Sequence, residues 1–248
     1  MDIDLKENFV RLWKRYFKSA ELPLVFYYTD DEKQAEAAKV PKEHRCIIAD
    51  LQRVRHGTSL KFDVDTIGCA GGKRYLGFSE SMRPDFEYFL SYGIPGKLEG
   101  ERYKKSPEMV ARLMKALPVI TAPSRFIVFK RWDKLQAGDE PVVAIFLTSP
   151  DVLSGLFTLA NYDRDDLNGA IAPFGAGCST IVQYPYMERS VAQPRAVIGM
   201  LDVSARPCVH ANAISFALPM VRLRQMIANM EESFLVTSSW RKVSRRIV

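Results

Sequence analysis

Apolar and polar residues along this chain form two kinds of pattern. Stretches in which apolar residues recur every three or four positions predict amphipathic helices, and short apolar or alternating runs predict strands. Helices are predicted at residues 4–20, 44–56, 85–92, 106–117, 150–160, 178–184 and 220–235. Strands are predicted at residues 24–29, 60–64, 126–132, 142–148, 170–174, 196–203 and 213–218. The predicted fold class is therefore α/β (or α+β), with mixed sheets and flanking helices.

Local signals mark the ends of several of these elements. Residues 106–108 combine a capping serine, a proline at the first helical position and an acid in the first turn, which is a typical helix start. Gly57 is suited to follow the last residue of a helix, because glycine adopts the left-handed conformation at little cost. Pro185 is expected to end the short helix that begins at Cys178.

The order of elements is similar in the two halves of the chain: strand, helix, strand, glycine- and cysteine-containing loop, helix. In that order Leu24–Thr29 corresponds to Val143–Thr148. We therefore predict an internal duplication of a β-α-β-loop-α unit, with chance similarity between two α/β segments as the alternative. The expected organisation is an N-terminal helix over residues 1–21, a first half over 22–121 and a second half over 122–248, packed as one two-lobed unit.

Each half contains a glycine-rich loop around one cysteine. The first Gly/Cys loop runs from Ile67 to Tyr75 around Cys69, and the second runs from Phe174 to Tyr184 around Cys178. In both loops a Gly-Cys pair is followed by a tyrosine six positions after the cysteine. Each loop lies between a predicted strand and a predicted helix, a place where backbone N–H groups and the positive end of the helix dipole point outward. A cysteine there is expected to have a lowered pKa.

These features predict that the two Gly/Cys loops line a ligand or cofactor site in a cleft between the halves. Lys73 and Arg74 lie beside the first loop and could add positive charge, and Asp202 and Arg206 could either pair with each other or face a ligand. The residues expected to bind the ligand or cofactor are Cys69, Gly71, Gly72, Lys73, Gly175, Gly177, Cys178 and Arg206.

Several chemical interpretations of the cysteines stay open. Cys46, Cys69 and Cys178, with Cys208 as a candidate fourth ligand, could hold a metal ion or an iron–sulfur cluster, although the close Cys-x-x-Cys pair of most such sites is missing. One cysteine could instead be a nucleophile with a nearby base, or the loops could bind an anion through backbone amides alone. The structural alternative is that the glycines serve tight turns and the cysteines are small buried apolar residues.

Composition narrows the classes of function. The 248 residues carry a net charge of +6, which is a mild excess gathered near the two ends of the chain. No nucleic-acid-binding motif accompanies the charge, so a solvated basic surface is favoured over nucleic-acid binding. No apolar run approaches the ~20 residues of a membrane helix. The four dispersed cysteines and the acidic, charge-interrupted N-terminal segment indicate a cytoplasmic protein with free or ligating thiols.

The function predicted from these observations is binding of a small anionic ligand or metal cofactor at the Gly/Cys-lined cleft. Thiol- or metal-dependent chemistry is expected if the protein is an enzyme. The alternative from a different class is a non-catalytic interaction or scaffold protein whose basic surface meets an acidic partner.

Four groups of residues, spread over most of the chain, form a specific combination. They are Cys46 with Ala49, Arg53 and Gly57; Cys69–Gly72 with Tyr75–Phe78; Phe174–Cys178; and Leu201, Asp202, Ala205 and Arg206 followed by Phe216–Pro219. In this combination the chain resembles the uncharacterised prokaryotic ArCR family, domain of unknown function 169, from about residue 22 to residue 227. The resemblance implies a soluble α/β protein and carries over no activity or catalytic residue. Asp50 departs from the family pattern, in which an Ala-Arg pair often stands near the end of this helix.

Overall fold

A mixed β-sheet forms the centre of the protein. The computed structural model describes residues 1–41 and 46–248. The strands within these residues are β1 Leu24–Thr29, β2 Leu60–Phe62, β3 Gly93–Ile94, β4 Leu98–Glu99, β5 Phe126–Arg131, β6 Val143–Thr148, β7 Ala170–Ile171, β8 Ala196–Gly199 and β9 Ile214–Pro219. Seven of them form one sheet in the order β2-β5-β1-β6-β9-β8-β7, and β3 and β4 form a separate hairpin. The predicted mixed α/β class is confirmed.

Helices cover this sheet. They are α1 Ile3–Phe17, α2 Glu32–Glu36, α3 Ile47–Arg55, α4 Ala70–Tyr75, α5 Phe86–Phe89, α6 Pro107–Ala116, α7 Pro150–Leu159, α8 Tyr184–Glu188, α9 Met220–Asn229 and α10 Ser238–Ser244. A π-helix, Ser179–Gln183, directly precedes α8, and 3-10 turns cover Trp132–Lys134, Arg206–Cys208 and Phe234–Val236. The predicted helix over 44–56 is observed as α3, and its residues 44 and 45 lie outside the described residues. None of the helices in residues 1–41 and 46–248 has both the length and the apolar character needed to cross a bilayer.

Several predicted signals act as expected. Ser106 caps α6, since its hydroxyl oxygen accepts a hydrogen bond from the backbone N–H of Met109 at 3.3 Å. Gly57 follows α3 with a φ of 91°, the left-handed conformation predicted for it. By contrast, α10 has no counterpart among the predicted helices, because its sequence is mostly polar. The buried side chain of Trp240 is the main contact of this helix with the core.

Two hydrophobic layers lie on opposite faces of the sheet. Side chains alternate between the faces along each strand. Val25 of β1 and Phe146 of β6 pack against α1, α7, α9 and α10 on one face. Phe26 and Ile145, one position along from these residues, pack against α3 and the π-helix on the other face, where the Gly/Cys loops also lie.

The central strands come from distant parts of the chain. β1 pairs antiparallel with both β5 and β6, and the β7–β8 pair is parallel. β5, which follows residue 121, therefore pairs with β1 and β2 of the predicted first half. In addition, β8, the strand between the second Gly/Cys loop and β9, belongs to the seven-stranded sheet. The strands that come next after the first loop, β3 and β4, instead form the separate hairpin. The internal duplication thus stays a prediction.

A buried ion pair stands beside α1. The Lys130 ammonium lies 2.8 Å from Asp139 Oδ2, and the exposed fractions of the two residues are only 2% and 3%. The Tyr27 hydroxyl donates to Asp139 Oδ1 at 2.7 Å, and the Gln136 backbone N–H donates to Oδ2 at 2.8 Å. The carboxylate therefore accepts three sets of hydrogen bonds that offset the cost of its burial.

Replacing Asp139 with alanine is expected to lower the free energy of unfolding by roughly 3–5 kcal/mol, because the Lys130 charge would stay buried without its partner. Urea unfolding followed by circular dichroism measures the change. The matched control is Glu231→Ala, which removes an exposed carboxylate 2.9 Å from Arg15 and should cost about 1 kcal/mol or less. Equal losses for the two variants would contradict the importance of the buried pair.

Candidate functional site

The structure brings the two Gly/Cys loops together on one face of the sheet. Cys69 and Cys178 lie near each other and near Cys46, close enough that Cys46 raises the pKa of both and Cys69 raises the pKa of Cys178. Tyr75 and Tyr184, the tyrosines that follow the two cysteines, also lie within electrostatic range of each other. Cys208 reaches the same region, and all four cysteines are half-buried free thiols. We call this region the cysteine junction.

Cys69 caps the short helix α4. Its Sγ accepts a hydrogen bond from the backbone N–H of Gly72 at 3.1 Å. Cysteine thus takes the place that serine, threonine or aspartate usually fills at a helix start. The sulfur is held against the backbone by this bond, and α4 extends for only six residues beyond it.

The glycines of the loops permit close packing. A Cβ atom at Gly72 would lie 2.8 Å from Cys69 Sγ and 3.0 Å from Ile67 Cγ2. A Cβ atom at Gly177 would lie 3.1 Å from both Ala205 Cβ and Met200 Sδ. The loop glycines 71, 72, 175 and 177 are not among the positive-φ residues of the described chain. Contact with neighbouring elements, rather than a left-handed turn, is therefore the physical reason for glycine at positions 72 and 177.

The thiols have raised pKa values, opposite to the direction expected from the sequence. Burial is the largest cause of the raised pKa of Cys69, and it outweighs the hydrogen bond from the Gly72 N–H, which acts in the other direction. Burial also raises the pKa of Cys178, to which the nearby Cys69 and Cys46 thiols add. Burial also raises the pKa of Cys208, to which the nearby Cys46 thiol and the Asp202 carboxylate add. These three thiols are consequently neutral at physiological pH.

The second loop leads into the π-helix. The backbone N–H of Tyr184 donates to the Ser179 carbonyl, the five-residue spacing that defines a π-turn. Pro185, which was expected to end the helix, instead lies in the first turn of α8. The missing N–H of a proline is tolerated in a first helical turn, so the helix continues through it to Glu188.

Asp202 and Arg206 each hold backbone groups of the junction. Asp202 Oδ2 accepts from the Gly177 backbone N–H at 3.1 Å and so ties the second loop to the segment after β8. The two terminal nitrogens of Arg206 donate to the carbonyls of Met200, His210, Ala211 and Ala213. The predicted role of Arg206 in binding a ligand stays a prediction, and its visible role is to organise this turn.

Arg74 is a buried cation for which the described residues supply no carboxylate partner. In the described part of the chain three cationic residues have less than a tenth of their surface exposed: Arg74, Lys130 and Arg222. Lys130 pairs with Asp139 and Arg222 pairs with Asp163. Arg74 donates to the carbonyl of Glu80, and among the described residues no carboxylate lies within salt-bridge distance of it.

The Nε atom of Arg74 also lacks a hydrogen-bond partner among the described residues, and so does the Nε atom of Arg222. The lack of a carboxylate partner among the described residues therefore distinguishes Arg74 from Lys130 and Arg222. The sequence indicates only that this residue lies beside the first loop, because burial and pairing are tertiary properties. Lys73, the neighbour that was predicted to bind the ligand, is half-buried.

The thiols do not form a ready metal site. Over residues 1–41 and 46–248, no three histidine, cysteine, aspartate or glutamate side chains are arranged to hold a metal ion. Ligation by Cys46, Cys69 and Cys178 would require their side chains to rearrange, and it stays a prediction. A separate surface groove of about 470 Å³ lies along the β3–β4 hairpin, and none of the predicted site residues lines it.

Comparison with known proteins assigns the chain to a family. The family model described as uncharacterised ArCR, domain of unknown function 169, matches residues 14–229. The chain belongs to this family, as its resemblance indicated. Searches of curated proteins and of solved structures found no match to it.

Replacing Gly72 with alanine is expected to lower the free energy of unfolding by about 1–3 kcal/mol, because the new Cβ would collide with Cys69 Sγ and Ile67. Gly71 in the same helix is the matched control. Its added Cβ would meet only the Tyr75 ring at 3.6 Å, and alanine should stabilise the helix by up to about 1 kcal/mol. Urea unfolding compares the two variants, and equal effects would contradict the packing role of Gly72.

The raised pKa of Cys178 should be visible in its alkylation by iodoacetamide. Only the thiolate reacts, and an ordinary cysteine pKa is about 8.5. In the native protein the rate at Cys178 should therefore keep rising about tenfold per pH unit from pH 7.5 to 9.5. In urea-unfolded protein it should level off near pH 9. Peptide mass spectrometry gives both profiles, and a native profile that levels off below pH 9 would show that this pKa is not raised.

Proposed function

We propose that this protein binds a small anionic ligand at the cysteine junction, with the Arg74 guanidinium supplying the positive charge. The observation that carries the proposal is the burial of this charge without a carboxylate partner in residues 1–41 and 46–248. A buried, unpaired charge destabilises a fold by several kcal/mol unless something compensates it. A carboxylate or phosphate group of a ligand would supply the missing partner, since both accept paired hydrogen bonds from a guanidinium.

The surroundings of Arg74 support an anionic ligand. The Tyr75 hydroxyl lies within electrostatic range of both Arg74 and the Cys178 thiol, and burial raises its pKa, so it carries its proton. The Cys69 and Cys178 thiols are protonated for the same reason. Neutral O–H and S–H groups are hydrogen-bond donors, so they would add to the attraction of Arg74 for an anion.

A metal cofactor is the second candidate, and the meeting of four cysteines supports it. Thiolates that lie close together repel one another, and a thiophilic cation would replace this repulsion with attraction. Binding would release the thiol protons, so it should strengthen as the pH rises. Iron, zinc or an iron–sulfur cluster would fit sulfur ligands of this kind. The scaffold alternative is less favoured, because a macromolecular partner would contact exposed charges rather than the buried Arg74.

Arg74→Met should separate a binding role from a structural role. Phosphate or succinate at 20 mM should raise the melting temperature of the wild-type protein, by roughly 5 °C at a concentration about 100 times Kd, relative to sodium chloride at equal ionic strength. The Arg74→Met variant should lose this response. It should melt at or above the temperature of the ligand-free wild type, because it no longer buries an unpaired charge.

Arg222→Met is the matched control. Arg222 is equally buried but has Asp163 as its partner at 2.5 Å, so its replacement should lower the melting temperature and leave the response to the anions intact. A variant at Arg74 that melts well below the wild type and keeps the response would assign Arg74 a structural role and reject the anion site.

A further inference from the structure

Two cysteines from distant parts of the sequence meet at the edge of the cysteine junction. Cys46 precedes α3, and Cys208 ends the turn Arg206–Cys208. The helix α3 contacts the turn Arg206–Cys208, and the Cys208 thiol lies within interaction range of that of Cys46. Both side chains pack against the same hydrophobic layer, which also contains Ile48 of α3 and Ala205 at the start of the turn. The two thiols are therefore held next to each other by the packing of their elements.

The other two cysteines are less suited to oxidation. The Cys69 sulfur is engaged in capping α4 through the Gly72 N–H. Burial raises the pKa of Cys178 and strongly disfavours its reactive thiolate. Cys46 precedes its helix without using its side chain as a cap, and Cys208 is half-buried in a turn. This pair thus combines proximity with side chains that do not cap a helix.

We propose that Cys46 and Cys208 form a reversible disulfide on exposure to a low-molecular-weight disulfide oxidant. One of the two, as a thiolate, attacks one sulfur of the oxidant and breaks its S–S bond. The attacked half stays bound to the protein as a mixed disulfide, and the other half leaves as a thiol. The second protein thiol then displaces the remaining half of the oxidant. The protein loses two S–H bonds and gains one S–S bond, and the two electrons and two protons go to the oxidant, which becomes two thiols.

The bond would join two elements that flank the junction. The start of α3 would be tied to the turn that Arg206 holds through its carbonyl contacts, so relative movement of these elements would be restricted. A link between residues so far apart in sequence also restricts the unfolded chain strongly. The oxidised protein should therefore be more stable than the reduced protein.

The test exposes the full chain to 5 mM oxidised glutathione at pH 8. Unreduced proteolytic digests are then examined by mass spectrometry. We expect a linked pair of peptides that contain Cys46 and Cys208, which disappears on treatment with dithiothreitol. The melting temperature should rise by roughly 5–10 °C on oxidation. Cys208→Ser should lose both effects, and the matched control Cys69→Ser, which keeps a capping oxygen, should retain both.

Three outcomes would overturn the proposal. The first is a digest in which Cys46 is linked to Cys69 or Cys178 instead of Cys208. The second is a protein that carries only glutathione mixed disulfides after prolonged exposure, because a neighbouring thiol would have displaced them. The third is a Cys46–Cys208 link that lowers the melting temperature, which would show that the native positions of the two sulfurs do not fit the bond.

Discussion

The antiparallel pairing of β1 with β6 is the constraint on which the candidate site depends. Leu24 lies opposite Ile145 and Phe26 opposite Val143, so two segments more than a hundred residues apart become neighbours at the centre of the sheet. Both strands are apolar on both faces and need cover on each side. Helices before and after them in the chain supply this cover, and the layer beneath Phe26 receives both Gly/Cys loops. The cysteine junction is thus a result of strand pairing and does not require direct attraction between the loops.

Local patterns predicted much of this fold. The bounds of β1 agree with the apolar run from which they were predicted, and the cap at Ser106 has the expected hydrogen bond. These features depend on neighbours in sequence. The pairing of β5 with β1 and the role of glycine at position 72 depend instead on residues that are remote in sequence, so no local pattern encodes them. The isolation of Arg74 is also of this kind, because only the folded chain shows that no described carboxylate reaches it.

The pKa values of the thiols depend on two opposing effects, the helix start and burial, and burial is the larger. A helix start attracts negative charge, and for that reason the sequence predicted lowered pKa values for Cys69 and Cys178. The helix after Cys69 has only six residues, and the backbone N–H groups near its sulfur, that of Gly72 first among them, lower the pKa less than burial raises it. The loss of solvent around the sulfur then dominates, and the pKa rises. An activated nucleophile at these positions is therefore disfavoured in the ligand-free protein, whereas a role as hydrogen-bond donors agrees with protonated thiols. Metal ligation or disulfide formation would first require a thiol to lose its proton.

The π-helix between Cys178 and Pro185 has a consequence for the evolution of this segment. Each α-helical residue turns the chain by about 100°, so one residue more or less before α8 would carry Cys178 to another side of the helix. The wide turn accommodates one additional residue while α8 keeps its place against the sheet. Relatives with a shorter segment here should therefore wind this turn as an ordinary α-helix and direct the residue at this position away from the other sulfurs.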